Sequence, residues 1–271
     1  MMKKLKKYIY AILIGVLSLS VAGCSSKEEK SQLKVIKDKG VLTVGTSADY
    51  PPYEFHKEID GKDTIVGFEM MMAEEIAKEL GVKLEIKDMK FDGLLGALKS
   101  GNVDMVVAGM SPTEERKKAV NFTDIYYNGE HVILVKDNNK NKYKSIGDLK
   151  NAKIAVQKAS LQENIAKDVI KASDIKSLGK ISDVILALQN NNVDAVVVSK
   201  EAIDGYLKQY PKIVVSDVNL GENKGEGSAI AVDKNNDQTL ITETNKVINK
   251  LKDSGKINEF VQQATQLAQQ N

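Results

Sequence analysis

The chain holds one cysteine, two histidines, four prolines and no tryptophan in 271 residues. One cysteine closes no internal disulfide, and with two histidines it leaves a Cys/His zinc cage out of reach, so no metal centre is expected. Aromatic residues make up 5%, too few to line a sugar groove with rings. Charge of one sign is also missing: 39 Lys+Arg stand against 37 Asp+Glu, a balance that gives no broad basic field and excludes nucleic acid as a partner. Arginine is nearly absent, because Arg116 is the only arginine among the 39 basic residues. A lysine-rich codon usage explains the scarcity; the retained arginine can equally mark a place where lysine does not serve. What is present is a 42% hydrophobic share, enough for a packed core and incompatible with disorder over most of the chain. The length suits one large domain or two of ordinary size, at roughly 100–200 residues each.

The first segment reads as an address. Lys3, Lys4, Lys6 and Lys7 precede an apolar run from about Ile9 to Leu19, and Val21-Ala22-Gly23 then leads to Cys24. That is a secretory signal with small residues before the cut. The apolar run is shorter than the ~20 residues of a spanning helix. Cys24, placed directly after the small residues, resembles the lipobox of bacterial lipoproteins, in which the thiol is diacylated and the cysteine becomes the mature N-terminus. An ordinary signal peptide with a chance cysteine is the alternative. Removing residues 1–23 leaves 35 basic against 37 acidic residues, a net charge of −2. Residues 24–33 are polar and lack apolar periodicity, as expected of a flexible tether.

Beyond the tether, apolar runs of strand length alternate with helical patterns. Val41-Leu-Thr-Val-Gly45 reads as a buried strand; Met70, Ala73, Ile76, Ala77 and Leu80 fall at helical spacing, closed by Gly81. Val82–Ile86 alternates as a strand, Leu94, Leu95 and Leu98 form a short helix, and Val103–Ala108 is a buried strand. This alternation indicates an α/β fold on a parallel sheet. Residues 97–107 and 187–197 match at seven of eleven positions, Ala-Leu-Lys-Ser-Gly-Asn-Val-Asp-Met-Val-Val against Ala-Leu-Gln-Asn-Asn-Asn-Val-Asp-Ala-Val-Val. The repeat predicts one unit used in two similar lobes, although such helix-strand units also arise by convergence. A strand over Lys153–Gln157 opens the second lobe, and helices over Asp237–Leu251 and Lys256–Leu267 are expected to return to the first. That return needs two crossings, near Tyr127–Glu130 and Glu226–Ala231. A doubly crossed boundary is a hinge, and ligands of such sheets sit beyond the carboxyl ends of the strands.

The residues with chemical capacity stand at those ends. Ser111, Pro112 and Glu114 read as N-cap, N1 and N3 of a helix, with Arg116 just past its first turn. An arginine fork holds a carboxylate through two parallel hydrogen bonds, which a lysine cannot do. Arg116 also reads as a solvated helix residue beside Lys117 and Lys118. Ser160 and Glu163 make a second capping box after the Gln157 strand. Tyr50-Pro-Pro-Tyr-Glu-Phe55 is a stiff loop after the first strand; its rings, and Phe91, are either core or cleft wall.

Taken together, Tyr50–Phe55, Gly67-Phe-Glu69, Phe91-Asp-Gly-Leu-Leu95 and Asp104–Lys118 with Phe122-Thr-Asp-Ile-Tyr-Tyr127 resemble the amino-acid-binding proteins of ABC importers, in the polar amino acid class of the periplasmic-binding-protein fold. The resemblance covers about residues 34–271, and the Gly-Met-Ser-x-Thr-x-Glu-Arg run over Gly109–Arg116 is its most specific part. It implies two α/β lobes of type II periplasmic-binding-protein architecture, joined by a two-segment hinge with the ligand cleft between them. Lobe 1 is then 34–128 with 228–271, and lobe 2 is 129–227. It implies Arg116 as the clamp on the ligand α-carboxylate, Ser111 and the Gly109 carbonyl as acceptors of the α-ammonium beside Met110, and Tyr50 and Phe91 as rings around the side chain. In lobe 2 it implies Gln157 and the turn Ala159-Ser160-Leu161-Gln162 as further contacts. Three positions depart from the family pattern: Ser199 stands where an ammonium-binding acid is common, Ser47 where an acid follows the first strand, and Ala159-Ser160-Leu161 where Gly-Thr-Thr is usual. Glu54 and Glu163 are the remaining candidate acids.

The expectation is a monomeric binding protein, lipid-anchored in the cytoplasmic membrane on its extracellular face, as in Gram-positive bacteria. It would capture a free L-amino acid and deliver it to the permease subunits of an ABC importer, with no cofactor and no bond made or broken. Arginine or lysine is the expected ligand, from Glu54 and two stacking rings, with glutamine or another polar amino acid as the alternative. The competing class is a dehydratase-type enzyme on the same fold, which needs a general acid in the cleft. His56, in an expected polar loop, and His131, near a crossing, match no ligand position. A sensory module would need a membrane span or kinase segment to signal through.

Overall fold

The computed structural model describes residues 31–221, 227–235 and 238–270. The expected signal segment, Cys24 and most of the tether lie outside these residues, as does Glu226 at the second crossing. The tether as expected runs too far, since helix α1 (Gln32–Lys39) already includes its last two residues. Ser31 caps this helix by accepting the Lys34 N–H, and Gly40 closes it at φ 69°. Its one fully buried residue is Ile36, too sparse a stripe for periodicity to register.

Two five-stranded sheets form the framework. The first contains β1 (Val41–Thr46), β5 (Lys83–Asp88), β6 (Met105–Val106), β7 (Val120–Phe122) and β13 (Ala231–Asp233), in the order β5-β1-β6-β13-β7. The second contains β8 (His131–Lys136), β9 (Lys153–Gln157), β10 (Asp174–Leu178), β11 (Ala195–Ser199) and β12 (Ile213–Val215), in the order β10-β9-β11-β8-β12. Four strands of each sheet point the same way, and one strand in each breaks the expected parallel pattern. β13 lies antiparallel to β6 and β7, and β8 antiparallel to β11 and β12. The reason is topological: a chain arriving from the other half enters the sheet from the opposite end.

The internal repeat occupies equivalent places. Helix α3 (Leu94–Lys99) feeds β6, and helix α6 (Ile181–Gln189) feeds β11. Asp104 donates its N–H to the Thr43 carbonyl (2.8 Å) and accepts the Thr43 N–H on Oδ2 (2.7 Å). Asp194 does the same with Lys153, at 2.8 and 2.9 Å. Each aspartate therefore ties its own strand to the neighbouring parallel strand, β1 or β9.

The chain passes from the first sheet to the second after Phe122 and returns before Ala231. The two passages touch: Tyr127 pairs with Ser228, whose N–H donates to the Tyr127 carbonyl at 2.7 Å. The C-terminal helices α8 (Thr239–Asp253) and α9 (Lys256–Gln269) then pack on helix α2 (Phe68–Leu80) of the first half. Leu240, Ile248, Leu251, Ile257 and Phe260 share one core with Ile76, Leu80 and Ile36. Burying such side chains is worth about 1.5–3 kcal/mol each, which holds the returning segment in place. No described helix is long and apolar enough to cross a membrane.

One element differs in kind from the expectation. The stretch around His56 is a hairpin rather than a polar loop: β2 (Asp49–Tyr50), β3 (Glu54–Ile59) and β4 (Lys62–Val66) form a small antiparallel sheet. Its outer half is charged and exposed, which masks the alternation. The legible signal was Asp60-Gly61, a turn pair with φ of 51° and 75°.

Candidate functional site

The carboxyl ends of β1, β6, β9 and β11 converge on a narrow cavity of about 40 Å³. Ser47, Tyr50, Glu54, Phe91, Gly109, Ser111 and Arg116 line it from the first half. Gln157, Ser160, Leu161, Gln162 and Ser199 line it from the second. Met110 does not reach it. Gly109 and Ser111 on either side of Met110 line the cavity. The Met110 side chain is 1% exposed and packs with Phe91, Leu94 and Val120.

The Tyr50 loop is fixed by glycine. Gly67 has φ 137°, and a Cβ there would lie 2.0 Å from the Tyr53 carbonyl oxygen, so no other residue fits. This close approach lets the Phe68 and Glu69 N–H groups donate to the carbonyls of Pro52 (3.0 Å) and Tyr53 (3.2 Å). The start of α2 thus holds the loop from below. Tyr50 packs on Tyr53 with centroids 4.9 Å apart, and Tyr53 on Phe68 at 4.7 Å. Gly109, at φ 56°, lies under Tyr50; a Cβ there would come within 3.2 Å of the ring.

Arg116 stands at the boundary of the two halves. Helix α4 (Glu114–Ala119) is capped by Thr113, not by Ser111: Thr113 Oγ1 accepts the Arg116 N–H. The cap comes two residues later because a tight turn, closed by the Thr113 N–H donating to the Ser111 carbonyl at 3.0 Å, precedes the helix and leaves Ser111 facing the cavity. One Arg116 amino group donates to the Ser111 carbonyl and the other to the Ala159 carbonyl across the cleft, both at 2.7 Å. Its guanidinium carbon lies 5.4 Å from the Phe91 centroid. The plane of the fork is therefore set by three neighbours.

The turn opposite has Ala159 at φ 61°, a conformation that glycine adopts without strain. Ser160 caps the short helix α5 (Leu161–Asn164): its hydroxyl accepts the Glu163 N–H and donates to the Gln157 carbonyl. The return arm of this box shifts by one residue, because Glu163 accepts the Ala159 N–H rather than that of Ser160. Glu163 is thereby engaged with the turn and with Ser177 and Lys167, outside the cavity lining. Ser199 donates to Glu201 at 2.9 Å.

Two carboxyl groups lie beneath the cavity. Glu54 is 1% exposed and Glu69 fully buried, and the two are hydrogen-bonded to each other. Burial, reinforced by the facing Glu69, pushes Glu54 well above the usual carboxylate range. Burial also raises Glu69, opposed by donation from the Tyr126 hydroxyl and the Gly109 N–H.

Tyr53 and Ala108 also line the cavity, Gly129, Gly227 and Ser228 do so without a sequence motif to mark them, and so does His131, contrary to the expectation that it stands at no ligand position. Gly129, Gly227 and Ser228 belong to the crossings, and their small size was the available signal. His131 opens an otherwise apolar strand directly opposite Ser199. Burial lowers its pKa to about 4, so it is neutral near pH 7, with Nε2 buried and unpartnered. His56 is not at the cavity; it pairs with Asp63 and Asp88.

Further contacts bridge the halves. Asp49 accepts the N–H (3.1 Å) and hydroxyl (3.3 Å) of Ser182 at the start of α6, whose own flanking residue Lys180 offers no cap. Lys158 pairs with Asp92 at 2.7 Å, and Lys180 with Asp88 at 3.4 Å.

The bacterial extracellular solute-binding proteins, family 3, match residues 42–266 of this chain. The arginine-binding extracellular protein ArtP of Bacillus subtilis is 33% identical over 261 residues, covering 94% of this chain and 96% of its own. A crystal structure of the amino acid ABC transporter substrate-binding protein AbpA from Streptococcus pneumoniae bound to L-arginine superimposes with a TM-score of 0.82 at 35% identity, covering 87% of this chain and 98% of that one. An ancestral arginine-binding protein bound to glutamine superimposes with a TM-score of 0.75 at 38% identity, covering 83% and 97%.

Proposed function

Because the chain belongs to the bacterial extracellular solute-binding proteins, family 3, we propose that it captures a free basic L-amino acid, arginine foremost, and delivers it to the permease of an ABC importer. The observation that carries this reading is a cavity with a guanidinium at one end and a buried acid at the other: Arg116 at its rim and Glu54 at its base. An amino acid with a cationic side chain presents the complementary pair, a carboxylate at one end and a cation at the other. Arg116 receives the α-carboxylate, with Ser160 and the turn around it closing from the second half. The Gly109 carbonyl, Ser111 and Ser199 take the α-ammonium, Tyr50 and Phe91 flank the aliphatic stem, and Ser47, Gln157, Leu161 and Gln162 complete the wall. The relative of Bacillus subtilis and the streptococcal structure, both arginine binders by name, support the choice.

Glutamine is the second reading, favoured by the neutral lining of the second half and by the glutamine-bound ancestral structure. Catalysis plays no part in the proposal. The two sheets with their helices are the lobes, 34–128 with 228–271 and 129–227, and they close by bending where Tyr127 meets Ser228. Small-angle scattering should then give a smaller radius of gyration with arginine. Cys24 anchors the monomer to lipid on the outer face of the membrane; Cys24→Ser should release the protein into the medium.

A thermal-shift screen with the twenty amino acids tests the ligand. A ligand at 100 times its dissociation constant stabilises by about 2.7 kcal/mol. Arginine should give the largest shift. A larger shift from glutamine would favour the second reading, and no shift from any amino acid would overturn both.

A further inference from the structure

Glu54 and Glu69 form a charge problem that the protein does not solve alone. Glu54 comes from the hairpin and Glu69 from the first turn of α2, and both are removed from water. Among the described residues, no lysine, arginine or histidine forms an ion pair with either carboxyl. The other ionisable groups that act on Glu54 are the acids Asp49 and Asp88 and the Tyr50 and Tyr126 phenols. Those near Glu69 are Glu54 and the Tyr50, Tyr53 and Tyr126 phenols. Nothing in this set supplies positive charge. Two adjacent buried carboxylates without a cation do not both ionise; one proton stays between them.

The hydrogen bonds say where it stays. The Gly109 N–H donates to both oxygens of Glu69, at 2.9 and 3.0 Å, and the Tyr126 hydroxyl donates to Oε1. These donors favour charge on Glu69. Glu54 is left as the acid, bonded to Glu69 through one oxygen, while its buried Oε2 has no partner. Glu54 lines the cavity and Glu69 does not.

We propose that the Glu54–Glu69 pair carries one proton in the ligand-free protein and releases it to solvent when a cationic side chain seats against Glu54, so that the cavity recognises a basic amino acid by exchanging a proton for the ligand's charge. The inference rests on the reading of the cavity as an amino-acid site. The exchange balances: the O–H bond of Glu54 breaks, the proton goes to buffer, and the guanidinium or ammonium takes its place beside the carboxylate. A ligand with a neutral side chain displaces no proton. Glu69 is a positioning residue, since it touches the ligand only through Glu54, and the proton count is the readout a structural role would leave unchanged.

The test is titration calorimetry of the protein with L-arginine and with L-citrulline, which replaces the guanidinium by a neutral urea. Each titration is run in two buffers of different ionisation enthalpy at the same pH. Arginine binding should release close to one proton, and citrulline binding none. Because the complex holds fewer protons, arginine affinity should rise with pH, by up to about tenfold per unit below the titration of the pair. Glu54→Gln should abolish the release and weaken arginine binding. Arginine binding without proton release would overturn the exchange while leaving the amino-acid site standing. Equal release by arginine and citrulline would place Glu54 against the common α-ammonium, and also overturn it. Failure of every basic amino acid to bind would remove the underlying reading as well.

Discussion

Asp104 in the first sheet and Asp194 in the second make the same two hydrogen bonds to the neighbouring parallel strand, and the units that carry them match in sequence. Past these strands the two halves diverge. The first half brings charge to the cavity, Arg116 at the rim and Glu54 backed by Glu69 at the base. The second brings Gln157, Ser160, Leu161, Gln162, Ser199 and a neutral histidine. One scaffold is thus used once to recognise charge and once to cover it. The lesson is that the scaffold residues of a repeat and its site residues are separable, because the former sit at strand starts and the latter at strand ends.

The comparison breaks most visibly at Arg116. A carboxylate enclosed in the cleft must be paired, and removing one partner costs about 3–5 kcal/mol. Arg116→Ala should therefore weaken arginine binding by roughly two to three orders of magnitude at 1.4 kcal/mol per decade. Arg116→Lys keeps the charge but loses the planar fork, and should lose much of the affinity too. Ser160→Ala in the second half should cost far less. Equal losses at the two positions, measured by calorimetry, would remove the division of labour.

His131 gives the second half a pH dependence of its own. Its folded pKa is about 4 against an ordinary 6.5, the cause being burial. Between those values the unfolded chain binds the proton and the folded one does not. Stability is therefore lost as pH falls from about 6.5 towards 4, by up to about 3 kcal/mol from this residue. His131→Gln should flatten that part of the stability profile. An unchanged profile from urea melts across the window would show that His131 is not held neutral.

Smaller effects sharpen the likeness of the halves. Asp104→Ala and Asp194→Ala each remove a charged acceptor of a strand N–H, worth about 1.5–3 kcal/mol of stability. Both should lower the denaturation midpoint and leave arginine affinity nearly intact; loss of affinity without loss of stability would contradict their scaffold role. Asp49→Ala removes the cap that the first half places on α6, at about 0.5–2 kcal/mol. That contact crosses the cleft, so the loss should be read in affinity, up to roughly thirtyfold. An unaffected affinity would mean that the cap does not favour the closed arrangement.

Much of this was legible in the sequence for stated physical reasons. Buried strands show as apolar runs, α2 shows its stripe and its closing glycine, and the repeated Val-Asp marks both scaffold ties. The motif from Gly109 to Arg116 placed the rim of the cavity, although it put the helix cap at Ser111 instead of Thr113. Other features depend on partners distant in sequence. Glu69 reads as one more charged residue near a helix start until Gly109 and Tyr126 are folded against it. His131 reads as the polar end of a strand until β11 sets Ser199 beside it. The antiparallel strands of both sheets follow from the crossings, which no local pattern encodes.

The claim that the first half holds the ligand by its charges is tested most directly by titrating the protein with L-arginine and L-argininamide under identical conditions. The amide keeps the side chain and the α-ammonium and removes only the carboxylate charge that Arg116 is positioned to receive. The account predicts argininamide to bind at least two orders of magnitude more weakly. Affinities within a few-fold of each other would contradict it.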